Sequence, residues 1–264
     1  MQRGRAVAGL TLIGLAVLIF TGWSPWSWAP SWPSSDEERY EELDAGMVTA
    51  VVLDTGPGDV TIRTGDQIWT SLRTRVDTWS WSDPDTTYRR DGARLVLTGC
   101  GRGCAVDYEL VVPRGTTVEG HTGSGEVAVV GAAAVDVEAG SGDVVVRGVP
   151  GPVDVETGSG EVRLADLAGP AAVDTSSGSV RGSALRGPVT TSTSSGDIVL
   201  GLDRAADVRA ETSSGDVEVT VPAGRYRVET DEAADVEVVD DPDARHTLEL
   251  STSSGDLSVR ESES

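Results

Sequence analysis

The chain has 264 residues, a formal net charge of −22 and a sequence pI near 4.3. That balance leaves no basic face for phosphates or anionic lipid headgroups, which excludes nucleic acid and peripheral lipid binding and leaves cationic, neutral or metal-bridged partners. There is no lysine and no asparagine, so a Walker-type phosphate loop, a Schiff-base lysine and an N-glycosylation acceptor are excluded, and with a single phenylalanine the core must be built of small aliphatics and Thr.

Arg3 and Arg5 precede an uncharged apolar run from Ala6 to Trp23, whose 18 residues are the lower limit for a spanning helix. Basic residues stay on the cytoplasmic side, so the remainder of the chain is expected outside. Trp23, Trp26, Trp28 and Trp32 among Ser and Pro fit an interfacial aromatic belt. Residues 1–30 therefore read as a cytoplasmic stub and a signal-anchor transmembrane helix. The alternative is a signal peptide cleaved after Ser27-Trp28-Ala29, where Pro30 would hinder the protease. The first reading gives a single-pass cell-membrane protein and the second a secreted one. Both place the bulk of the chain outside the cytoplasm. Residues 31–45, with Pro33, Ser34, Ser35, Asp36, Glu37 and Glu38, read as a flexible acidic stalk.

Residues 46–264 form the repeat domain, interrupted at 65–112 by an insertion bearing Trp69, Trp79, Trp81 and both cysteines. The insertion is expected to make hairpins that cap one end, since an open sheet edge invites aggregation. Cys100 and Cys104 flank Gly101-Arg102-Gly103 at a turn; outside the cytoplasm a disulfide is expected there, with free thiols as the alternative. Trp79 and Trp81 fall on one face of a strand, placed either to stack on a sugar ring or, the favoured reading, to bury against the end of the core.

A short repeat dominates the domain. TGPGDV ends at Val60, TGSGEV at Val127, AGSGDV at Val144, TGSGEV at Val162, TSSGSV at Val180, TSSGDI at Ile198, TSSGDV at Val217 and TSSGDL at Leu257. The glycines from Gly125 to Gly215 recur every 17 to 19 residues, and a gap of 40 before Gly255 holds one degenerate copy, Val228 to Val236. Apolar residues alternate with polar ones on both sides of each Ser-Gly pair, as in Val135-Asp136-Val137 and Val162-Arg163-Leu164. That period of two marks two short strands per unit. Ser-Gly makes one corner, and Gly151-Pro152, Gly169-Pro170 and Gly187-Pro188 make the other. A unit with two strands and two corners buries nothing alone, so copies must stack. The fold class expected is all-β: a single parallel β-solenoid of about 18-residue coils with an N-terminal hairpin cap, behind one transmembrane helix. The charged tail Val259–Ser264 is expected to guard the far edge.

The Val106–Pro113 strand, with TxSGDVxV units and intervening Gly-Pro-Val after it, resembles a bacterial family of uncharacterised proteins with β-strand repeats, commonly labelled adhesin candidates. The resemblance runs from Gly46 to Val259, and the copy at Asp231 to Val236 departs from it. It implies an envelope location, in some relatives an association with envelope-stress systems, and no catalytic residues.

Candidate chemistry is sparse. The acid after each repeat glycine forms a column: Glu126, Asp143, Glu161, Asp197, Asp216 and Asp256, broken by Ser179. At about 4.8 Å per coil, like charges repel and some of these carboxyls are expected to titrate high. Calcium would relieve the repulsion, with Asp143, Glu161, Asp197 and Asp216 as candidate ligands. The simpler reading, favoured here, is that Asp and Glu cap the corner and keep an elongated, solvated edge soluble, with no cofactor. Catalytic carboxylate pairs need unlike environments, which a repeated column does not give. His121 and His246 fall at opposite ends of the array and cannot share a site. The expected function is non-enzymatic: adhesin-like binding of envelope polymer or a protein partner. The alternative is an envelope-stress regulatory or accessory module working with a membrane partner, and a polysaccharide-active β-helix enzyme ranks last.

Overall fold

The computed structural model describes residues 35–43, 48–78, 87–231 and 233–262. The anchor segment at 6–23 and both Trp79 and Trp81 lie outside them. Among the described residues no helix is long and apolar enough to cross a membrane.

The N-terminal end is built from β1 (Ser35–Leu43), β2 (Ala50–Pro57), β3 (Val60–Gly65), β4 (Thr70–Thr78), β5 (Tyr88–Asp91), β6 (Arg94–Thr98) and β7 (Cys104–Pro113). Regular coils come next as strand pairs: β8 (Thr117–Ser124) with β9 (Val127–Val130), β10 (Val135–Ser141) with β11 (Val144–Arg147), and β12 (Val153–Ser159) with β13 (Val162–Leu167). Then come β14 (Ala171–Ser177) with β15 (Val180–Leu185), β16 (Val189–Ser195) with β17 (Ile198–Leu202), and β18 (Val208–Ser214) with β19 (Val217–Val221). The C-terminal end comprises β20 (Arg225–Thr230), β21 (Ala234–Val236), β22 (Val239–Asp240), β23 (Thr247–Thr252) and β24 (Leu257–Glu261).

These strands make two twelve-stranded sheets. Sheet 1 runs β1-β4-β7-β3-β9-β11-β13-β15-β17-β19-β24-β21, and sheet 2 runs β22-β20-β23-β18-β16-β14-β12-β10-β8-β2-β6-β5. Pairing through the regular coils is parallel and in register apart from one shift between Gly182 and Leu185: Val135, Val137 and Ala139 stand opposite Val153, Val155 and Thr157. The parallel solenoid expected from the repeat is the architecture found. Along β10, Val135, Val137 and Ala139 are buried while Asp136 and Glu138 face solvent. Each inward column therefore stacks like on like, and fully burying one such Val is worth about 1.5–3 kcal/mol. At the corner, Gly142 takes φ 131°, where an L side chain is strained, and a Cβ would also collide with the carbonyl oxygen of Gly125 in the coil below. Backbone conformation and coil spacing both demand glycine there.

At both ends the order of coils in the stack departs from their order in the chain. β6 and β7 pair in parallel with β2 and β3, which in turn pair with β8 and β9. The later pair is thus the outer coil, and the chain crosses back over its first coil to continue. The hairpin cap expected over 65–112 holds only for β4, antiparallel to β7, and β5, antiparallel to β6. The Cys-bearing stretch is itself a coil. Leu95, Leu97, Val106, Tyr108, Leu110 and Val112 carry the same inward period, so stacking buries more than a hairpin would. The segment expected as a stalk also differs, because β1 pairs antiparallel with β4 from Ser35↔Thr78 to Leu43↔Thr70.

At the other end, β23 and β24 slot between β18–β19 and β20–β21. Strand β24 is therefore interior, and the far edge is made by the very short β21, in the degenerate copy, and β22 just after it. Short strands blunt an edge without help from the charged tail. Each end of the core is filled by a buried tyrosine. The Tyr108 hydroxyl donates to the carbonyls of Thr87 and Thr98, and the Tyr226 hydroxyl to that of Pro222 at 2.8 Å.

Candidate functional site

Two columns of carboxylates run along the solenoid, and they differ in what their oxygens touch. The first is the corner column just after the repeat glycines. Asp143 Oδ1 accepts the Glu161 backbone N–H at 2.9 Å, Asp197 Oδ1 accepts that of Asp216 at 3.1 Å, and Asp216 Oδ1 accepts that of Asp256 at 2.8 Å. The same rung joins Asp107 to Asp59 at 2.9 Å and Asp59 to Glu126 at 2.8 Å. Aspartate has the reach for this bond: its carboxylate sits one coil below an amide that the corner has turned out of the sheet ladder. Where the column holds Ser179, its Oγ takes the Asp197 N–H at 3.4 Å. Glu161 is used differently. Its carboxylate is shared by Arg163 and Arg181, and Arg163 also donates to Asp143 Oδ2 at 3.0 Å.

At Asp143 charge repulsion does not dominate. The Glu161 amide, and after it the Arg163 guanidinium, holds the Asp143 carboxyl below the ordinary aspartate range, against the high titration expected for stacked acids. Of the calcium candidates, Asp143, Asp197 and Asp216 each commit Oδ1 to a backbone amide, and Glu161 is taken up by two arginines. Among the described residues no group of three or more His, Cys, Asp or Glu is placed to hold a metal ion.

The second column lies on the outer face of sheet 2. Parallel register stacks His121, Glu138, Glu156 and Asp174 on successive strands β8, β10, β12 and β14, with Asp136 and Asp154 as a second row beside them. With Ala139, Gly140, Thr157, Gly158 and Ser176, the first row lines a shallow open groove. His121 pairs with Asp54 at 3.2 Å. Among the described residues, Asp136, Glu138, Asp154, Glu156 and Asp174 have no side-chain hydrogen bond or ion pair. Here the surface offers three successive free acids, Glu138, Glu156 and Asp174, at a fixed spacing, whereas in the corner column the acids without a side-chain partner, Glu126 and Asp256, are far apart in the stack.

Cys100 and Cys104 are disulfide-bonded with Cα atoms 6.0 Å apart, closing the corner between β6 in sheet 2 and β7 in sheet 1. His121 and His246 stand at opposite ends of the regular coils, His246 paired with Asp207 at 3.3 Å. Sequence reasoning passed over two features. Val106-Asp107-Tyr108 plays the part of Gly-Asp-Val, which alignment of aspartate rather than glycine would have shown. The column through Glu138 and Glu156 was legible only as the wet side of alternating strands, because nothing in one strand says which acids align across coils.

A family model described as Toastrack DUF4097 matches residues 104–260, more than half of the chain. No curated protein matches. Solved structures with a similar course include an adhesin candidate from Bacteroides fragilis, 12% identical over 85% of this chain and 97% of that one, with a TM-score of 0.44. Another adhesin candidate, from Parabacteroides merdae, is 11% identical over 85% and 96% with a TM-score of 0.29. A cell adhesion candidate from Clostridium sporogenes is 11% identical over 87% and 100% with a TM-score of 0.27.

Proposed function

The chain belongs to the Toastrack DUF4097 family, and from that scaffold we propose that it is a non-enzymatic, adhesin-like binding protein of the cell envelope. In this reading residues 1–30 anchor it in the membrane, the solenoid lies outside the cytoplasm, and the ligand is an envelope polymer or protein carrying repeated cationic groups. The observation that carries the reading is the outer face of sheet 2, where Glu138, Glu156 and Asp174 stack in register with no cation of their own. Successive strands about 4.8 Å apart repeat one anionic group along a flat ribbon, which suits a ligand that is itself repetitive. No cofactor is needed for such binding.

The test uses full-length protein, the unit beginning at Ser34, and a full-length Glu138→Gln/Glu156→Gln/Asp174→Asn variant, each incubated with envelope fractions at low and high salt. Retention by both wild-type forms, weakened by salt and lost in the variant, is the expected outcome. If only the anchored form captures anything, and what it captures is membrane protein, the regulatory alternative replaces the adhesin reading.

A further inference from the structure

The two outer faces of the solenoid carry opposite charge over the same three coils. On sheet 2, strands β10, β12 and β14 present Glu138, Glu156 and Asp174. On sheet 1 the partner strands of those coils, β11, β13 and β15, present Arg147, Arg163 and Arg181, one arginine per strand. Arg63 on β3 adds a fourth, in the row of Arg147 with Val130 between them. From β3 to β17 the two outward rows of this face hold no acid, in a chain with 43 acidic and 21 basic residues. Sheet 1 therefore departs from the charge of the whole molecule.

The face is also open to a partner. Among the described residues Arg63 and Arg147 have no side-chain hydrogen bond or ion pair. Arg163 and Arg181 share Glu161 at the corner, yet their side chains stay 45% and 52% exposed, and a guanidinium has five N–H donors to give. Around them Ala128, Val130, Val145 and Ala165 are only partly buried. These small side chains make a low apolar bed of the kind over which one sheet packs on another at about 10 Å.

The matching surface lies on the other side of the same molecule. Both faces inherit one rise, about 4.8 Å per coil. Arginines on three successive strands thus match acids on three successive strands with no change of spacing. We infer that the outer face of sheet 1 docks on the outer face of sheet 2 of a second copy of this chain. The inference rests on the reading of the acidic face as a binding surface and names one partner for it. Because the two faces lie on opposite sides of one copy, the contact is heterologous: each added copy leaves one face of each kind open, and copies line up side by side in an open series. The net charge of −22 opposes the encounter at long range. At physiological salt the Debye length is about 8 Å, so that repulsion is screened while contact pairs persist.

Sedimentation of the full-length protein tests this, in detergent that shields the apolar run at 6–23, from about 10 μM to about 1 mM at about 0.15 M salt. Wild type is expected to grow through dimers to longer series as concentration rises. Arg63→Glu/Arg147→Glu breaks no side-chain bond within the described chain and should weaken association at least about tenfold. Glu138→Gln/Glu156→Gln/Asp174→Asn should do the same from the other side. Mixed, the two variants keep one complementary pair of faces and should give a one-to-one complex and nothing longer. A single variant that associates like wild type, or a mixture that gives no complex, overturns the inference. Wild type that stays monomeric also overturns it, and if the arginine variant then loses retention by envelope fractions, its face is assigned to an anionic envelope polymer. The adhesin reading is scored apart: the arginine variant keeps the acidic face and should be retained as wild type is, whereas pairing of the mixed variants without any envelope retention sinks that reading and leaves this one standing.

Discussion

Replacing Asp143 with alanine separates the two accounts of the corner acid by the sign of its effect. If the acid is only a solvated edge on a chain of net charge −22, its removal relieves repulsion and leaves stability unchanged or raised. If it is a rung, alanine removes the acceptor of the Glu161 N–H at 2.9 Å and one partner of Arg163 at 3.0 Å. A charge-assisted hydrogen bond contributes about 1.5–3 kcal/mol when shielded, and an exposed ion pair about 0–1. With the Asp143 side chain 39% exposed and Arg163 keeping Glu161, the loss should be about 1–2 kcal/mol. In a domain of this size that lowers Tm by roughly 2–8 °C. Asp143→Asn keeps an acceptor and should lose about half as much. Asp154→Ala, an unpaired acid facing out from β12, is the control and should be neutral. The folded pKa of Asp143 lies below its ordinary value, so its contribution is complete above about pH 4 and disappears as pH falls through the folded value. The gap between wild type and Asp143→Ala should therefore close in acid. Melts of the three variants across pH measure this. The rung is refuted if Asp143→Ala matches Asp154→Ala at neutral pH, or if asparagine is no better than alanine.

Three more outcomes are expected. Thr191 is fully buried in a column otherwise filled by residues such as Val155 and Val173, and its Oγ1 has no partner; Thr191→Val should stabilise by about 1–2 kcal/mol in urea titrations, and a loss would show a hidden partner for the hydroxyl. Ala184 sits at φ 54° where earlier coils place Gly131 and Gly148; Ala184→Gly should be neutral to about 1 kcal/mol stabilising, because relief of left-handed strain of about 1–2 kcal/mol offsets the added chain entropy, and thermal melts decide it. Burial pushes the Tyr108 hydroxyl up to about 12; the folded state thus holds this proton more tightly, and stability should fall between pH 10 and 12 by about 2–3 kcal/mol. Tyr108→Phe should flatten that alkaline slope while costing stability at neutral pH, and an unchanged slope would assign it elsewhere.

The regular coils were legible because their signal is local and repeated: period-two alternation assigns the strands, Ser-Gly and Gly-Pro assign the corners, and a fixed spacing forces stacking. The ends were not, because stack order is a long-range choice among registers that satisfy the same pattern. β24 looks like a terminus in sequence, yet it meets a parallel neighbour on each side. β7 looks like a hairpin arm, yet it pairs with β3 in parallel as well as with β4 antiparallel. At the corner a capping role for the acids was legible, but its partner was not, for a related reason. The alternation marks Asp143 as outside but cannot reveal that the Glu161 amide leans toward it from the next coil.

The crossed order at the two ends governs how such a rod can change length. Adding a unit beyond Glu261 would not extend the tip, since that strand lies beneath β21, and adding one before β2 would meet the coil formed by β6 and β7. Between Gly142 and Gly215, by contrast, a duplicated unit of 18 residues meets the same columns above and below. Each such copy would lengthen the rod by about 4.8 Å and leave both tyrosine-filled ends untouched. Descendants of one ancestral rod can therefore differ in reach by whole interior steps while sharing the same two tips.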